Sequence, residues 1–211
     1  MTEIARDWAY AEEFITEDEI LLDARERAAH LGATSVTPAV GSALRLLAAT
    51  AAVRTAVEIG TGTGVGSLWL LSGMTPDGVL TTIDSELELH KAARLAFSAA
   101  GIRPVRCRAI TGNPHEVLPR LADSGYDMVV IGAGQGDLMQ YVEQAERLLR
   151  VGGLVIIENA LANGRVADPA NREEPVVALR TLHKYFLDAP QWLPALVPVG
   201  NGLLAAVKQA I

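Results

Sequence analysis

Between Arg54 and Gly66 the chain reads R-T-A-V-E-I-G-T-G-T-G-V-G, and this stretch carries the clearest chemical potential. One carboxylate, Glu58, stands inside a short apolar run from Thr55 to Ile59. Glycines then follow at every second position: Gly60, Gly62, Gly64 and Gly66. A turn without side chains lets a ligand approach backbone N–H groups. The helix predicted over S-L-W-L-L-S-G-M, ending near Gly73, would aim its positive end at that ligand. The spacing is not that of a phosphate-binding P-loop, because no G-x-x-x-x-G-K-[ST] occurs. It also misses the dinucleotide fingerprint G-x-G-x-x-G/A. Counted from Gly60 the third small position is Val65, and counted from Gly62 it is Ser67, which leaves Gly60 without a role. A second carboxylate, Asp84, closes the next apolar run, V-L-T-T-I-D, about twenty residues further on. It can accept hydrogen bonds from two ribose hydroxyls or cap the helix from Glu86; with the glycine turn upstream, the ribose is the favoured reading.

These residues need elements to position them, and the chain supplies an alternating series. Thr16 with Glu19 forms a capping box for a helix to His30, with Gly32 as its C-cap, and Thr37-Pro38 starts a second helix. Strands are expected at Thr55–Gly60, Val79–Asp84, Pro104–Ile110, Asp127–Ile131 and Gly153–Glu158. The intervening helices are expected at Gly64–Ser72, Glu86–Ala100, Pro114–Asp123 and Asp137–Arg150. Thr111-Gly112-Asn113 ends the third strand; Asn113 lies where an adenine edge would sit, or only caps the helix from Pro114. A loop from Asn159 to about Glu174 leads to a helix near Pro175–Leu187. The chain closes with two apolar runs around Asn201-Gly202, a strong hairpin signal. Alternation predicts a parallel sheet wound on both faces, one domain over 1–211, with about 1–52 as a helical extension or lid.

Composition narrows the function. A net charge of −7 argues against sequence-independent nucleic-acid binding. No apolar run approaches the roughly 20 residues that span a bilayer. The acidic start lacks the pattern of a signal peptide. Cys107 is the only cysteine, so neither a disulfide nor a thiolate metal site is available. A cytoplasmic protein acting on small molecules is the expectation. Trp8, Tyr10 and Phe14 form an aromatic stripe expected to cover the core or a dimer partner. His30, His90 and His183 read as helix-surface residues, while His115 and Asp137 lie near strand ends.

The acidic residue followed by G-x-G-x-G resembles the first motif of class I S-adenosylmethionine (SAM)-dependent methyltransferases. From about Ser35 to Lys208 the chain is similar to the cation-dependent O-methyltransferases that include the catechol and caffeoyl-coenzyme A enzymes, above all the small actinobacterial members. The resemblance is carried by V-T-P-A-V-G, V-E-I-G-T-G-T-G, L-T-T-I-D, Y-D-M-V-V-I, R-L-L-R-V-G-G-L-V-I-I-E-N, N-G-R-V-A-D-P and L-V-P-V-G-N-G-L. It implies a Rossmann-like α/β fold, a doubly wound, mostly parallel seven-stranded sheet with a C-terminal antiparallel hairpin. It also implies SAM as cosubstrate, a small-molecule methyl acceptor and a homodimer. Val36, Glu58, Gly60, Thr61, Asp84 and Ser85 would contact the cofactor, Glu58 at its methionine end and Asp84 at its ribose. Gly66 would lie close by, where relatives often have serine. Gly62, Gly64, Asn113 and Gly132 complete the expected cofactor site.

One departure bears on mechanism. Relatives usually end the fourth strand with D-A-D-K, a metal-binding Asp and a candidate base Lys. Here the segment is Gly132-Ala133-Gly134-Gln135. Their other metal ligands, an Asp-Asn pair, correspond to Glu158-Asn159. No tight metal site is therefore expected, and no catalytic base is assigned, with His115 and Asp137 the nearest candidates. The acceptor pocket is expected between the N-terminal helices and the Asn159–Glu174 loop, more open because Ala162 stands where relatives often carry Trp. The expectation is a methyltransferase acting on hydroxyls with metal dependence altered or lost. The alternatives are a SAM-binding protein without catalysis and, disfavoured by Val65 and the hairpin, a nicotinamide-dependent oxidoreductase.

Overall fold

The computed structural model describes residues 3–132 and 137–210. Three helices come first: α1 (Glu3–Glu13), α2 (Glu19–His30) and α3 (Pro38–Thr50). Then follow β1 (Thr55–Ile59), α4 (Val65–Gly73), β2 (Val79–Asp84), α5 (Leu87–Ala99), β3 (Cys107–Thr111) and α6 (Pro114–Val117). The chain continues with β4 (Tyr126–Ile131), α7 (Leu138–Leu148), β5 (Leu149–Glu158), α8 (Glu174–Asp188), β6 (Trp192–Val197) and β7 (Leu203–Lys208). The seven strands form one sheet in the order β3-β2-β1-β4-β5-β7-β6. Strands β1 to β5 pair in parallel, and β7 runs antiparallel to both β5 and β6. The chain winds outward from β1 to β3, then crosses back to lay β4 on the other side of β1. The switch point is therefore the β1/β4 seam. The doubly wound sheet with its C-terminal hairpin is as the sequence predicts.

Side chains of a strand alternate between faces, and both faces here are covered. Val57, Ile59, Val129, Ile131, Val155 and Ile157 pack against Leu138 and Val142 of α7 and Leu179, Leu182 and Phe186 of α8. Ala56, Met128, Val130, Leu154 and Ile156 pack against Leu44 and Ala48 of α3 and Leu70 and Leu71 of α4. The even-numbered residues Glu58 and Glu158 thus share the α3/α4 face, each at the C-terminal end of its strand.

Several boundaries differ from expectation for identifiable reasons. The N-cap of α2 is Asp18, whose carboxylate accepts from Leu21 N–H, not Thr16. The helix expected over Pro114–Asp123 stops at Val117 and ends in a 3₁₀ turn, Leu118–Arg120, because Pro119 supplies no N–H to an α ladder. Strand β5 begins at Leu149 and crosses Gly152 with a register shift between Tyr126 and Met128. The hairpin connection is longer than Asn201-Gly202 alone and spans residues 198–202. Its carbonyls are engaged elsewhere: Ala160 N–H donates to Gly202 at 2.9 Å and Leu161 N–H to Asn201 at 2.8 Å. The Thr37 cap with Pro38 at the first helical position is present as predicted.

Candidate functional site

A cavity of about 350 Å³ opens at the C-terminal ends of β1, β4 and β5. It is walled by residues 34–37 and Val40, by the glycine turn, and by Asn159, Asn163 and Asn201. Extending the strand register by one residue sets Asp84, Gly60, Gly132 and Glu158 side by side on the α3/α4 face. The middle two carry no side chain, so the sheet has a gap there flanked by two acids. A Cβ on Gly132 would meet Glu158 Oε2 at 2.7 Å, so the Glu158 carboxylate leans over this gap.

The floor of the cavity is Glu58, only 3% exposed. Its strand neighbour Thr82 donates from Oγ1 to Glu58 Oε2 at 2.6 Å, and Ser67 Oγ of α4 donates to the same atom. Thr61 Oγ1 lies 2.6 Å from Thr82 Oγ1 and extends the chain of hydroxyls. Burial pushes the Glu58 carboxyl up to about 7, opposed by the Ser67 and Thr82 hydroxyls and reinforced by the charge of Asp84. Burial, with the charge of Glu58 second, pushes Glu158 up to about 8.

The glycine turn is a left-handed run, with φ of 97° at Gly60, 54° at Gly62 and 91° at Gly64, a path costly for residues with a Cβ. Asp84 holds it: Gly62 N–H donates to Oδ2 at 2.8 Å and Glu86 N–H to Oδ1 at 2.9 Å. Thr63 Oγ1 donates to the Ala24 carbonyl at 2.7 Å and ties the turn to α2. The opposite wall is braced from α1 and α2. Glu12 accepts from Thr37 Oγ1 at 2.8 Å and Ala39 N–H at 2.9 Å. Arg25 donates to both oxygens of Glu17 and, through Nη1, to Ser35 Oγ at 3.0 Å; Trp69 Nε1 also reaches Glu17 at 3.2 Å.

Of the residues singled out from sequence, Val36, Glu58, Gly60, Thr61, Gly62, Gly66 and Gly132 line this one cavity. Gly64, Asp84, Ser85 and Asn113 do not. Gly64 starts α4 against Phe97, Ser85 is exposed, and Asn113 caps α6 by accepting from His115 N–H at 3.0 Å. Thr34, Ser35, Thr63, Asn163 and Asn201 line the cavity without having been singled out as binding residues. The signal was there for two of them, since both Asn-Gly bends place their Asn on its rim. His115 and Asp137 lie outside it and pair with each other, Nε2 to Oδ2 at 3.2 Å, with the imidazole stacked on Tyr141. His90 is buried and His183 half-buried, against the expectation of helix-surface positions: each has a buried ring nitrogen without a partner among the described residues, and burial lowers the pKa of both. The aromatic stripe does not cover the core either, with Trp8 50%, Tyr10 70% and Phe14 70% exposed. Cys107 is no nucleophile, because burial pushes its thiol up to about 12.

The donor set for a metal is thin. Gly132 offers no side-chain ligand atom, and Ala133, Gly134 and Gln135, outside the described residues, bring no carboxylate. Glu158 is one acid, Asn159 one neutral amide oxygen, and Asp137 is engaged by His115. No group of three His, Cys, Asp or Glu among the described residues could hold a metal ion. A hard divalent cation asks for about six oxygens in near-octahedral order, so these residues do not fit one.

Comparison with known proteins agrees with this geometry. A family model described as O-methyltransferase matches residues 11–209. A Mycobacterium tuberculosis protein named "Probable O-methyltransferase" is 51% identical over 201 residues, covering 95% of this chain and 90% of its own. A Corynebacterium glutamicum crystal structure superposes with a TM-score of 0.91 at 30% identity, covering 100% of this chain and 99% of that one. The O-methyltransferase TomG of Streptomyces achromogenes, involved in tomaymycin synthesis and solved in complex with SAM, gives 0.88 at 27% identity with both chains covered 100%. The chain belongs to the O-methyltransferase family.

Proposed function

We propose that this protein transfers the methyl group of SAM to a hydroxyl of a small molecule, within one domain whose first 52 or so residues form a helical extension or lid. The observation that carries the reading is the cavity at the β1/β4 switch point, with a glycine turn on one side and the buried Glu58 as its floor. In this reading Glu58 faces the cationic methionine end of the cofactor, with Val36, Gly60, Thr61, Gly62, Gly66 and Gly132 around it. Asp84 and Ser85 reach the ribose, Asn113 the adenine edge, and Gly64 shapes the turn. SAM bound to TomG supports the choice of cofactor. Holding sulfonium and acceptor in line supplies much of the rate in such a displacement. The misfit of the donor set supports transfer without the cation that the resemblance implies.

A second reading, a SAM-binding protein without transfer, is favoured by the absence of any side chain at Gly132. The exposed aromatics of α1 support a homodimer, which light scattering tests. No helix among the described residues is long and apolar enough to cross a membrane. A cytoplasmic site of action is part of the proposal.

The deciding experiment is calorimetric titration with S-adenosylhomocysteine (SAH), with excess Mg²⁺ and with EDTA. Micromolar binding indifferent to metal is the expected result. Binding strengthened by Mg²⁺ would restore a metal site, and absence of binding would remove both readings.

A further inference from the structure

Two acids line the cavity, Glu58 and Glu158, and two others, Asp84 and Asp137, lie outside its lining; the four are not equivalent. Asp84 is engaged by two backbone N–H groups, Glu58 by two hydroxyls, and Asp137 by His115. Glu158 lines the cavity, and its carboxylate receives no hydrogen bond from any described residue. Its Oε2 lies over the side-chain gap at Gly132. Beside it the Asn159 Oδ1 atom is buried and unpartnered among the described residues. The loop that presents these two groups is strained, with Asn159, Ala162 and Asn163 all left-handed, at φ of 55°, 47° and 56°. Hydrogen bonds from Ala160 and Leu161 to the β6–β7 connection hold it there.

We propose that Glu158 takes the proton of the acceptor hydroxyl and that the site operates without a divalent cation, an inference that rests on the methyl-transfer reading above. The acceptor oxygen attacks the methyl carbon, and the new O–C bond forms as the C–S bond breaks. The bonding pair leaves with sulfur, which becomes neutral, and the hydroxyl proton passes to the Glu158 carboxylate. After product leaves, that proton returns to water. Asn159 Oδ1 accepts a hydrogen bond from a second donor on the same acceptor and so turns its reacting oxygen toward the methyl group. A carboxylate on a longer stem than Asp can fill this role because Gly132 vacates the space in front of it.

The test uses the full chain with SAM and two probe acceptors, catechol and 4-nitrocatechol, the second already ionised near neutral pH. Each is assayed with EDTA and with Mg²⁺. The wild type should turn over both, unchanged by EDTA. Glu158→Gln should lose about 100-fold on catechol, the scale of a lost general base, and little on 4-nitrocatechol. Calorimetry with SAH shows whether the variant keeps its folded cofactor site, and Glu158→Asp should fall between the two. Activity abolished by EDTA, or equal activity of Glu158→Gln on both acceptors, overturns the proposal. So does no turnover of either acceptor by a wild type that binds SAH, a result that leaves cofactor binding standing. Failure to bind SAH at all removes the parent reading instead.

Discussion

Glu58 is held by two hydroxyls and, among the described residues, by no cationic side chain, and it is only 3% exposed. Its carboxyl, raised to about 7 by that burial, is half ionised near neutral pH. A cationic ligand favours the ionised form, so SAM should bind more tightly as pH rises from 6 to 8, by about tenfold. Titration followed by calorimetry should show this slope in the wild type and lose it in Glu58→Gln. Thr82→Val removes a donor to the carboxylate and should move the midpoint of the slope to higher pH. Sequence spacing marked Glu58 as important, but not why it is tunable. The hydroxyls of Ser67 and Thr82 meet it only through a helix start and a strand register, which lie nine and twenty-four positions away.

At the scale of elements, what was local was legible and what was tertiary was not. Thr37 and Pro38 announce the start of α3 because cap and ring act within one turn. Thr16 with Glu19 looked equally good, yet Glu17 between them turns inward to Arg25 and Trp69, and Asp18 takes the cap. His90 and His183 occupy faces that periodicity within one helix could not tell were covered. The brace formed by Glu17, Arg25 and Ser35 carries its own prediction. Glu17 is buried, so Arg25→Ala strands a carboxylate and should cost about 3 kcal/mol in denaturant unfolding. Because Arg25 also holds Ser35 on the cavity wall, cofactor affinity should fall with it, whereas Lys91→Ala, in an exposed pair with Glu88, should change neither.

For the whole molecule, a parallel sheet wound on both faces and closed by a hairpin was legible from alternation and an Asn-Gly bend, since parallel strands need crossovers and antiparallel ones do not; the order β3-β2-β1-β4-β5-β7-β6 came only with the structure. The cavity did not follow, because it depends on two glycines from different strands meeting side by side. Its two raised carboxyls also set a pH dependence for folding. Both prefer the proton in the folded state, so their stabilisation is complete below about 4.5, the ordinary value, and is lost as pH climbs through about 7 and 8. Thermal melts should therefore fall by several degrees between pH 5.5 and 9. The double variant Glu58→Gln/Glu158→Gln should flatten that fall. The same pair of acids, on a chain of net charge −7, has a consequence for turnover. In the proposed reaction the cofactor arrives with a sulfonium charge and departs without it. Transfer thus cancels part of the attraction that drew the cofactor in, and the spent molecule is released from a pocket no longer matched to it. Product inhibition should accordingly be weakest in alkaline buffer, where both carboxylates are ionised, and strongest in acid, where neither distinguishes fresh cofactor from spent.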